Sequence, residues 1–197
     1  MENKLLSVCQ SGFQKGDSCV SQLIKIKHDI LKSLDSNQMI GTRSIFLDMS
    51  KAFDKVWHEG LLYKLRSHGI RGKRLDLFAN YLKDRKQRTV ISGQHSEWRQ
   101  VTAGVPQGSV LGPLLFLLYV NDLPDNLLCN PKLFADDVSL NEHAHDMALS
   151  TERLNHDLRE IEQWAFEWKT VFNPDPNKPG NEVTFTNHTN VFTPNLF

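Results

Sequence analysis

Two adjacent carboxylates interrupt an otherwise mostly apolar stretch, Lys132-Leu133-Phe134-Ala135-Asp136-Asp137-Val138-Ser139-Leu140. Short apolar runs on both sides of an acidic pair are the pattern of two strands joined by a tight hairpin, which puts the acids at the bend. Like charges this close repel unless a cation lies between them. Asp48 closes a second apolar run, Ser44-Ile45-Phe46-Leu47-Asp48, and would supply the third carboxylate that a divalent-metal site still lacks. The fold must either gather these acids around a cation or hold them apart in solvent.

The rest of the chain supplies a scaffold. Val20, Leu23, Ile24, Ile30, Leu31 and Leu34 recur at helical spacing behind Gly16-Asp17-Ser18, which predicts a helix over 18–35 ended by Asn37 and Gly41. Arg43 to Met49 reads as a buried strand. From Ala52 a helical period runs through Val56, Trp57, Leu61, Leu62 and Leu65 to a stop at Gly69, and Leu75, Phe78, Ala79 and Leu82 mark a second short helix. Thr89-Val90-Ile91 and Trp98 to Thr102 read as two strands joined by a turn that begins at Ser92-Gly93-Gln94. Gly104 to Gly112 is a loop opening into an apolar helix that ends near Asn121-Asp122-Leu123-Pro124, since proline forbids continuation. Met147, Leu154, Leu158, Ile161, Ala165 and Trp168 form a long amphipathic stripe suited to packing on a sheet. After Asn173-Pro174-Asp175-Pro176 the chain is loop, with one short strand at Glu182 to Thr186. Helices and strands alternate, yet two hairpins are indicated. The expected fold is therefore α/β of the α+β type, an antiparallel sheet backed by helices, and not a doubly wound parallel one.

Composition limits the partners less than it limits the setting. With 197 residues, 40% hydrophobic and 23% charged, the chain is long enough for one domain with a real core. Basic and acidic residues balance at 23 each, so any nucleic-acid surface must be local. Arg71, Lys73, Arg74, Lys83, Arg85, Lys86 and Arg88 form the one basic concentration, readable either as such a surface or as a solvated helix face and loop. Cys9, Cys19 and Cys129 lack metal-binding spacing and read as reduced thiols. His143, His145 and His156 have no cysteine beside them and read as solvated surface near a helix start. Leu111 to Val120, the longest apolar run, is shorter than the roughly 18 residues of a membrane span and contains Gly112 and Pro113. No signal-like start is present, so an intracellular, nuclear or cytoplasmic protein without a membrane partner is expected.

Taken singly, Asp136-Asp137 is a common turn pair and Asp48 a common strand-end residue. Their order carries more. Phe46-Leu47-Asp48-Met49-Ser50-Lys51-Ala52-Phe53-Asp54, then Gly104-Val105-Pro106-Gln107-Gly108-Ser109-Val110-Leu111-Gly112-Pro113, then Phe134-Ala135-Asp136-Asp137 resemble the three palm motifs of reverse transcriptases. Tyr81-Leu82-Lys83-Asp84-Arg85-Lys86-Gln87-Arg88, the continuation from Leu114 to Pro124 and the stretch from Trp164 to Pro174 are similar to the non-LTR, LINE-type retrotransposon branch. The resemblance spans roughly residues 5 to 186.

The resemblance implies a right-hand polymerase palm with partial fingers. It places a reverse transcriptase domain over 1–186, with fingers at about 1–42 and 55–100, palm at about 43–54 and 101–186, and a loose tail at 187–197. It implies an RNA-directed DNA polymerase that acts on an RNA template, a DNA primer and deoxynucleoside triphosphates. Asp48 and Asp136 would ligate two magnesium ions, or manganese in their place, and Asp137 would complete the acidic cluster; hard oxygen ligands suit such ions. Phe53 would be an aromatic gate that rejects a ribose 2′ hydroxyl, although without the resemblance an aromatic in a first helical turn is better explained as core. Gln107 and Gly108 would approach the nascent base pair and template sugar, or would simply start the helix behind them. Lys178 would stand near a lysine that protonates pyrophosphate. Asp54 reads as a helix cap rather than a metal ligand.

One stretch departs from the family pattern. Gln10-Ser11-Gly12-Phe13-Gln14-Lys15-Gly16-Asp17-Ser18 resembles the finger motif, yet Gln14 and Asp17 stand where basic residues are usual, leaving Lys15 as the local cation for a triphosphate. No thumb, endonuclease or ribonuclease H segment is recognisable, so a fragment of a larger polyprotein or a decayed copy is expected. Two other readings stay open: a non-catalytic nucleic-acid-binding remnant of the same fold, and a metal-dependent hydrolase, which would need neither Phe53 nor the Gly104-to-Pro113 loop.

Overall fold

A computed structural model describes residues 5–35, 41–173 and 183–185. In chain order its elements are α1 (Cys19–Leu34), β1 (Gly41–Asp48), a 3-10 turn (Ala52–Asp54), α2 (His58–Ser67), α3 (Lys73–Leu82), β2 (Lys86–Gln87), β3 (Val90–Ile91), β4 (Gln94–His95), β5 (Arg99–Gln100), α4 (Leu111–Tyr119), β6 (Asn130–Phe134), β7 (Asp137–Ala144), α5 (Met147–Glu167) and β8 (Val183–Phe185). They fall into two compact units, Met1–Ser50 with Asn121–Phe197, and Lys51–Val120.

The first unit is built on a four-stranded antiparallel sheet in the order β6-β7-β1-β8. Side chains alternate across a strand, so the register puts Ile45 beside Leu140 and Leu47 beside Val138 and Leu133 on one face. All five are buried. Helix α5 packs against β7 and buries Leu154, Leu158, Ile161 and Ala165 at the spacing expected from the sequence. Asp146 starts that helix, its Oδ1 accepting from the Ala148 and Leu149 amides at 2.6 and 3.2 Å.

The opposite face is largely polar, with Phe46 and Phe134 among its residues, and α1 lies on it. Ser44 Oγ donates to Asn141 Oδ1 at 2.9 Å, Thr42 Oγ1 donates to Ser33 Oγ at 3.2 Å, and Asn130 Nδ2 donates to Asp29 Oδ2 at 3.1 Å. The helix begins where the sequence indicates, with Ser18 Oγ accepting from the Ser21 amide. The face it buries, however, includes Gln22 and Ser33, while Val20, Leu23, Ile24, Leu31 and Leu34 are exposed. The apolar period that reveals α1 is therefore not the face that seats it on the sheet.

The second unit packs α2, α3 and α4 together. Helix α4 is apolar on every side and accordingly buried at Leu115, Phe116, Leu117, Leu118 and Tyr119. Helix α2 ends as expected at Gly69, whose φ of +86° lets the Ile70 amide return to the Leu65 carbonyl at 3.0 Å. Two expectations need correction. The helix expected from Ala52 is a 3-10 turn, then an extended link, and only then α2. The Phe53 and Val56 carbonyls accept from the Val105 and Gly104 amides, both at 2.8 Å, and so cannot also serve a continuous helix. The hairpin expected to pair residues 89–91 with 98–102 instead closes on itself. Ser92 and Gly93 have φ of +48° and +80°, the geometry of a two-residue turn, so β3 pairs with β4 and β5 pairs with β2.

Candidate active site at the end of the sheet

The register of β1 and β7 brings the acids together. Asp48, the last residue of β1, stands directly opposite Asp137, the first of β7. Asp136 is the second of two bend residues between β6 and β7, because Phe134 pairs with Asp137. Opposed residues in an antiparallel pair have Cα atoms about 4.5–5.5 Å apart, so the three carboxylates share one end of the sheet. Partial burial pushes the Asp136 carboxyl up from its ordinary value, and the Asp48 charge adds to this. Burial likewise raises Asp137, followed by the charges of Asp136 and then Asp48. Among the described residues no lysine or arginine makes an ion pair with any of the three. In their present rotamers no three His, Cys, Asp or Glu side chains of the described residues converge tightly enough to hold a metal ion.

The donor chemistry fits a hard divalent cation: carboxylate oxygens with no basic partner among the described residues and enough exposure to reach one. Asp48 is additionally anchored from a loop. Its carbonyl accepts from the Asn173 amide at 2.7 Å and its Oδ2 accepts from Asn173 Nδ2 at 3.4 Å, while Met49 bridges to Phe172. The sequence marks Asn173 only as the start of a loop.

The bend itself is constrained. Ala135 has φ of +56°, a left-handed conformation that costs a non-glycine residue ~1–2 kcal/mol. It is held by Gln10, whose side chain is buried against it. Gln10 Oε1 accepts from the Ala135 amide at 2.9 Å and from the Gly12 amide at 2.7 Å, and Nε2 donates to the Ala135 carbonyl at 3.4 Å. The flanking backbone is tied in as well, Ser11 donating to Leu133 and Leu133 to Cys9, both at 2.8 Å. No local sequence signal could have shown this, because the partners are 125 residues apart.

In the second unit, Phe53 is half-buried and stacks on Phe116 with ring centroids 4.6 Å apart. Asp54 does not cap a helix: its Oδ1 accepts from Gln107 Nε2 at 2.7 Å, which ties the 3-10 turn to the Gly-rich loop. Gly108 has φ of +75° in open surroundings, so its backbone is accessible. Ser109 Oγ accepts from the Gly112 amide at 2.9 Å and starts α4. Lys178 lies outside the described residues.

The departure in the finger-like stretch has a structural reason. Asp17 Oδ1 accepts from the Ser18 amide and Oδ2 receives Lys25 Nζ at 2.8 Å, which lowers its carboxyl to about 2. It serves the start of α1. The histidines do not cluster: His143 lies within β7 and contacts Thr42 at 3.1 Å, and His156 contacts Asp157 at 3.2 Å. All three cysteines are free.

Residues 1–178 match the family described as reverse transcriptase (RNA-dependent DNA polymerase). The chain belongs to the reverse transcriptase family. It is 32% identical over 181 residues to the probable RNA-directed DNA polymerase from transposon BS of Drosophila melanogaster, which covers 88% of this chain and 20% of that protein. It is 34% identical over 182 residues to the corresponding protein from transposon X-element of the same species, covering 90% and 19%. The chain thus spans about one fifth of the length of these curated relatives. The expected kinship with non-LTR retrotransposon polymerases holds. Among solved structures, telomerase from Candida albicans, in a complex with a fragment of telomeric RNA, is similar with a TM-score of 0.63 at 12% identity over 92% of this chain and 32% of that one. Apo telomerase from Candida tropicalis, truncated from its C-terminal domain, gives 0.56 at 13% identity, covering 90% and 38%. At such identities the likeness concerns the fold, and it supports the expected palm architecture of an antiparallel sheet with helices.

Proposed function

We propose that this chain is the polymerising part of an RNA-directed DNA polymerase of a non-LTR retrotransposon, joining deoxynucleotides to a primer 3′ hydroxyl on an RNA template. The observation that carries this reading is the β1–β7 register, which sets Asp48 against Asp137 with Asp136 at the adjoining bend. Asp48 and Asp136 would hold two divalent ions, magnesium or manganese, and Asp137 would complete the cluster. Bound there, such ions activate a hydroxyl for attack and stabilise a departing pyrophosphate. The chain's own residues would prepare the site by offering hard oxygen donors that no lysine or arginine of the described residues engages.

In the same reading the fingers comprise about 1–42 and 55–100 and the palm about 43–54 and 101–186. Phe53 discriminates against ribonucleotides, its ring orientation held by Phe116. Gln107 is fixed through its Nε2 on Asp54, which leaves its amide oxygen directed away to accept from a nucleotide. Gly108 supplies the open backbone beside it. The remaining domains of a longer polyprotein would cover surfaces such as the outer face of α1.

Primer extension on an RNA template, with Asp136→Asn as the comparison, tests this. Incorporation in magnesium that the substitution abolishes is the expected result, and incorporation that survives it refutes the ligand assignment. The commitment of Asp17 to Lys25, where the family uses a basic residue, favours a second reading, a nucleic-acid-binding remnant. RNA binding with no incorporation by the wild-type chain would support that one.

A further inference from the structure

The acidic bend is positioned by a segment that lies more than a hundred residues earlier in the chain. We propose that Gln10 is a positioning residue for Asp136 and Asp137, acting through the peptide of Ala135. Three independent observations meet there. The Gln10 side chain bonds both polar atoms of the Ala135 backbone, the amide at 2.9 Å and the carbonyl at 3.4 Å. Ala135 keeps a left-handed φ of +56° without being glycine, and such a conformation persists only where its surroundings over-determine it. The path of the clamp also leaves no spare room, since a Cβ added at Gly12 would lie 2.3 Å from the Ala135 nitrogen and 3.0 Å from Gln10 Oε1.

A neutral amide suits this place better than any charged group. It offers one acceptor and one donor, which match the two backbone atoms it meets, and the acceptor also serves the Gly12 amide at 2.7 Å. A carboxylate would keep the acceptor, lose the donor, and add a fourth negative charge near three carboxylates that already repel. The Cys9–Leu133–Ser11 backbone pairing remains when the amide is removed, so the strand stays seated while the bend is released. The consequence for function rests on the reading of Asp136 as a metal ligand, because freeing the bend frees the direction of that carboxylate.

The test uses the 197-residue chain and manganese as the probe. Gln10→Ala, Gln10→Glu and Gly12→Ala are compared with wild type and with Asp136→Asn. Hydrogen exchange reads protection of the Ala135 amide, and manganese titration by electron paramagnetic resonance reads metal affinity. Gln10→Ala is expected to lower Ala135 protection at least tenfold and to weaken manganese binding by about 10–100-fold, the usual effect of removing a group that orients a metal ligand. Gln10→Glu keeps the acceptor for the Ala135 amide and is expected to retain its protection, which separates the role of the acceptor from that of the donor. Gly12→Ala reaches the same bend from the other side and lowers the same protection. Wild-type Ala135 protection in both Gln10→Ala and Gly12→Ala overturns the proposal. Lost protection together with unchanged manganese affinity in Asp136→Asn leaves the positioning intact and overturns the metal reading instead.

Discussion

Replacing Asp137 with asparagine should make the metal-free protein more stable and, in the proposed reading, weaken divalent-metal binding. Asp137 stands opposite Asp48 and next to Asp136, and burial followed by these two charges holds its carboxyl above the ordinary range. Taking a separation of about 5 Å for illustration, two unit charges repel by roughly 0.8 kcal/mol at the permittivity of water and about 3 kcal/mol at an effective value near 20. Asp137 keeps much of its surface in solvent although its carboxyl is partly shielded, and Asp136 is only partly buried, so screening places the net gain near the lower figure, about 1 kcal/mol. For a chain of this length, that corresponds to a rise of about 2–4 °C in Tm. The sign with pH follows from the direction of the shifts. Both carboxyls are raised in the fold, so protonation favours the folded state; the stability it adds is complete below the unfolded value and is lost as pH rises through the folded ones. The variant's advantage should therefore be present at pH 7 and shrink as pH falls through the carboxylate range. Magnesium should reverse the order, because a ligand at ten times its Kd stabilises the wild type by about 1.4 kcal/mol and the variant by less. Thermal denaturation in chelator and in magnesium, at pH 7 and pH 4, measures all four cases. Equal or lower stability of Asp137→Asn in chelator at pH 7 would refute the argument that these acids are held together against their own repulsion.

Other substitutions probe separate parts of the molecule. In an active protein, Phe53→Val should admit ribonucleotides in primer extension, and unchanged discrimination would remove Phe53 from the site. Lys64 is buried, donates to the Tyr119 carbonyl at 2.6 Å and lies 5.1 Å from its ring centroid. Lys64→Ala should cost about 1–3 kcal/mol in urea denaturation, through loss of a buried hydrogen bond from a charged donor. Around the exposed ladders β2–β5 and β3–β4, Arg85 lies over Tyr81 and Arg88 over Trp98. If this is the nucleic-acid surface, replacing Arg85, Lys86 and Arg88 with alanine should reduce the salt slope of single-stranded RNA binding by about 2, since each phosphate contact contributes about 0.7. An unchanged slope would return that segment to the status of a solvated face.

Much of this protein was determined by local pattern, which a sequence displays directly. The apolar runs around Ile45, Leu47, Val138 and Leu140 specify two buried strands, each with its acid at the end next to the bend. The caps of α1 and α5 rest on side chains within a few residues of the backbone they satisfy, and the stop at Gly69 on a backbone conformation open to glycine. Ordered motifs made the family legible for the same reason. What only the tertiary structure decided depends on groups distant in the chain competing for the same backbone atoms. The Gly104 and Val105 amides take carbonyls that a helix from Ala52 would have used, β5 finds Lys86–Gln87 instead of its neighbour, and α1 seats its polar side because the sheet face beneath it is polar. The opening acidic pair shows the division most clearly. Its charge and its hairpin are written in nine consecutive residues, whereas the left-handed bend that aims it is held by an amide 125 residues away, and hydrogen bonding across that distance leaves no periodicity to read.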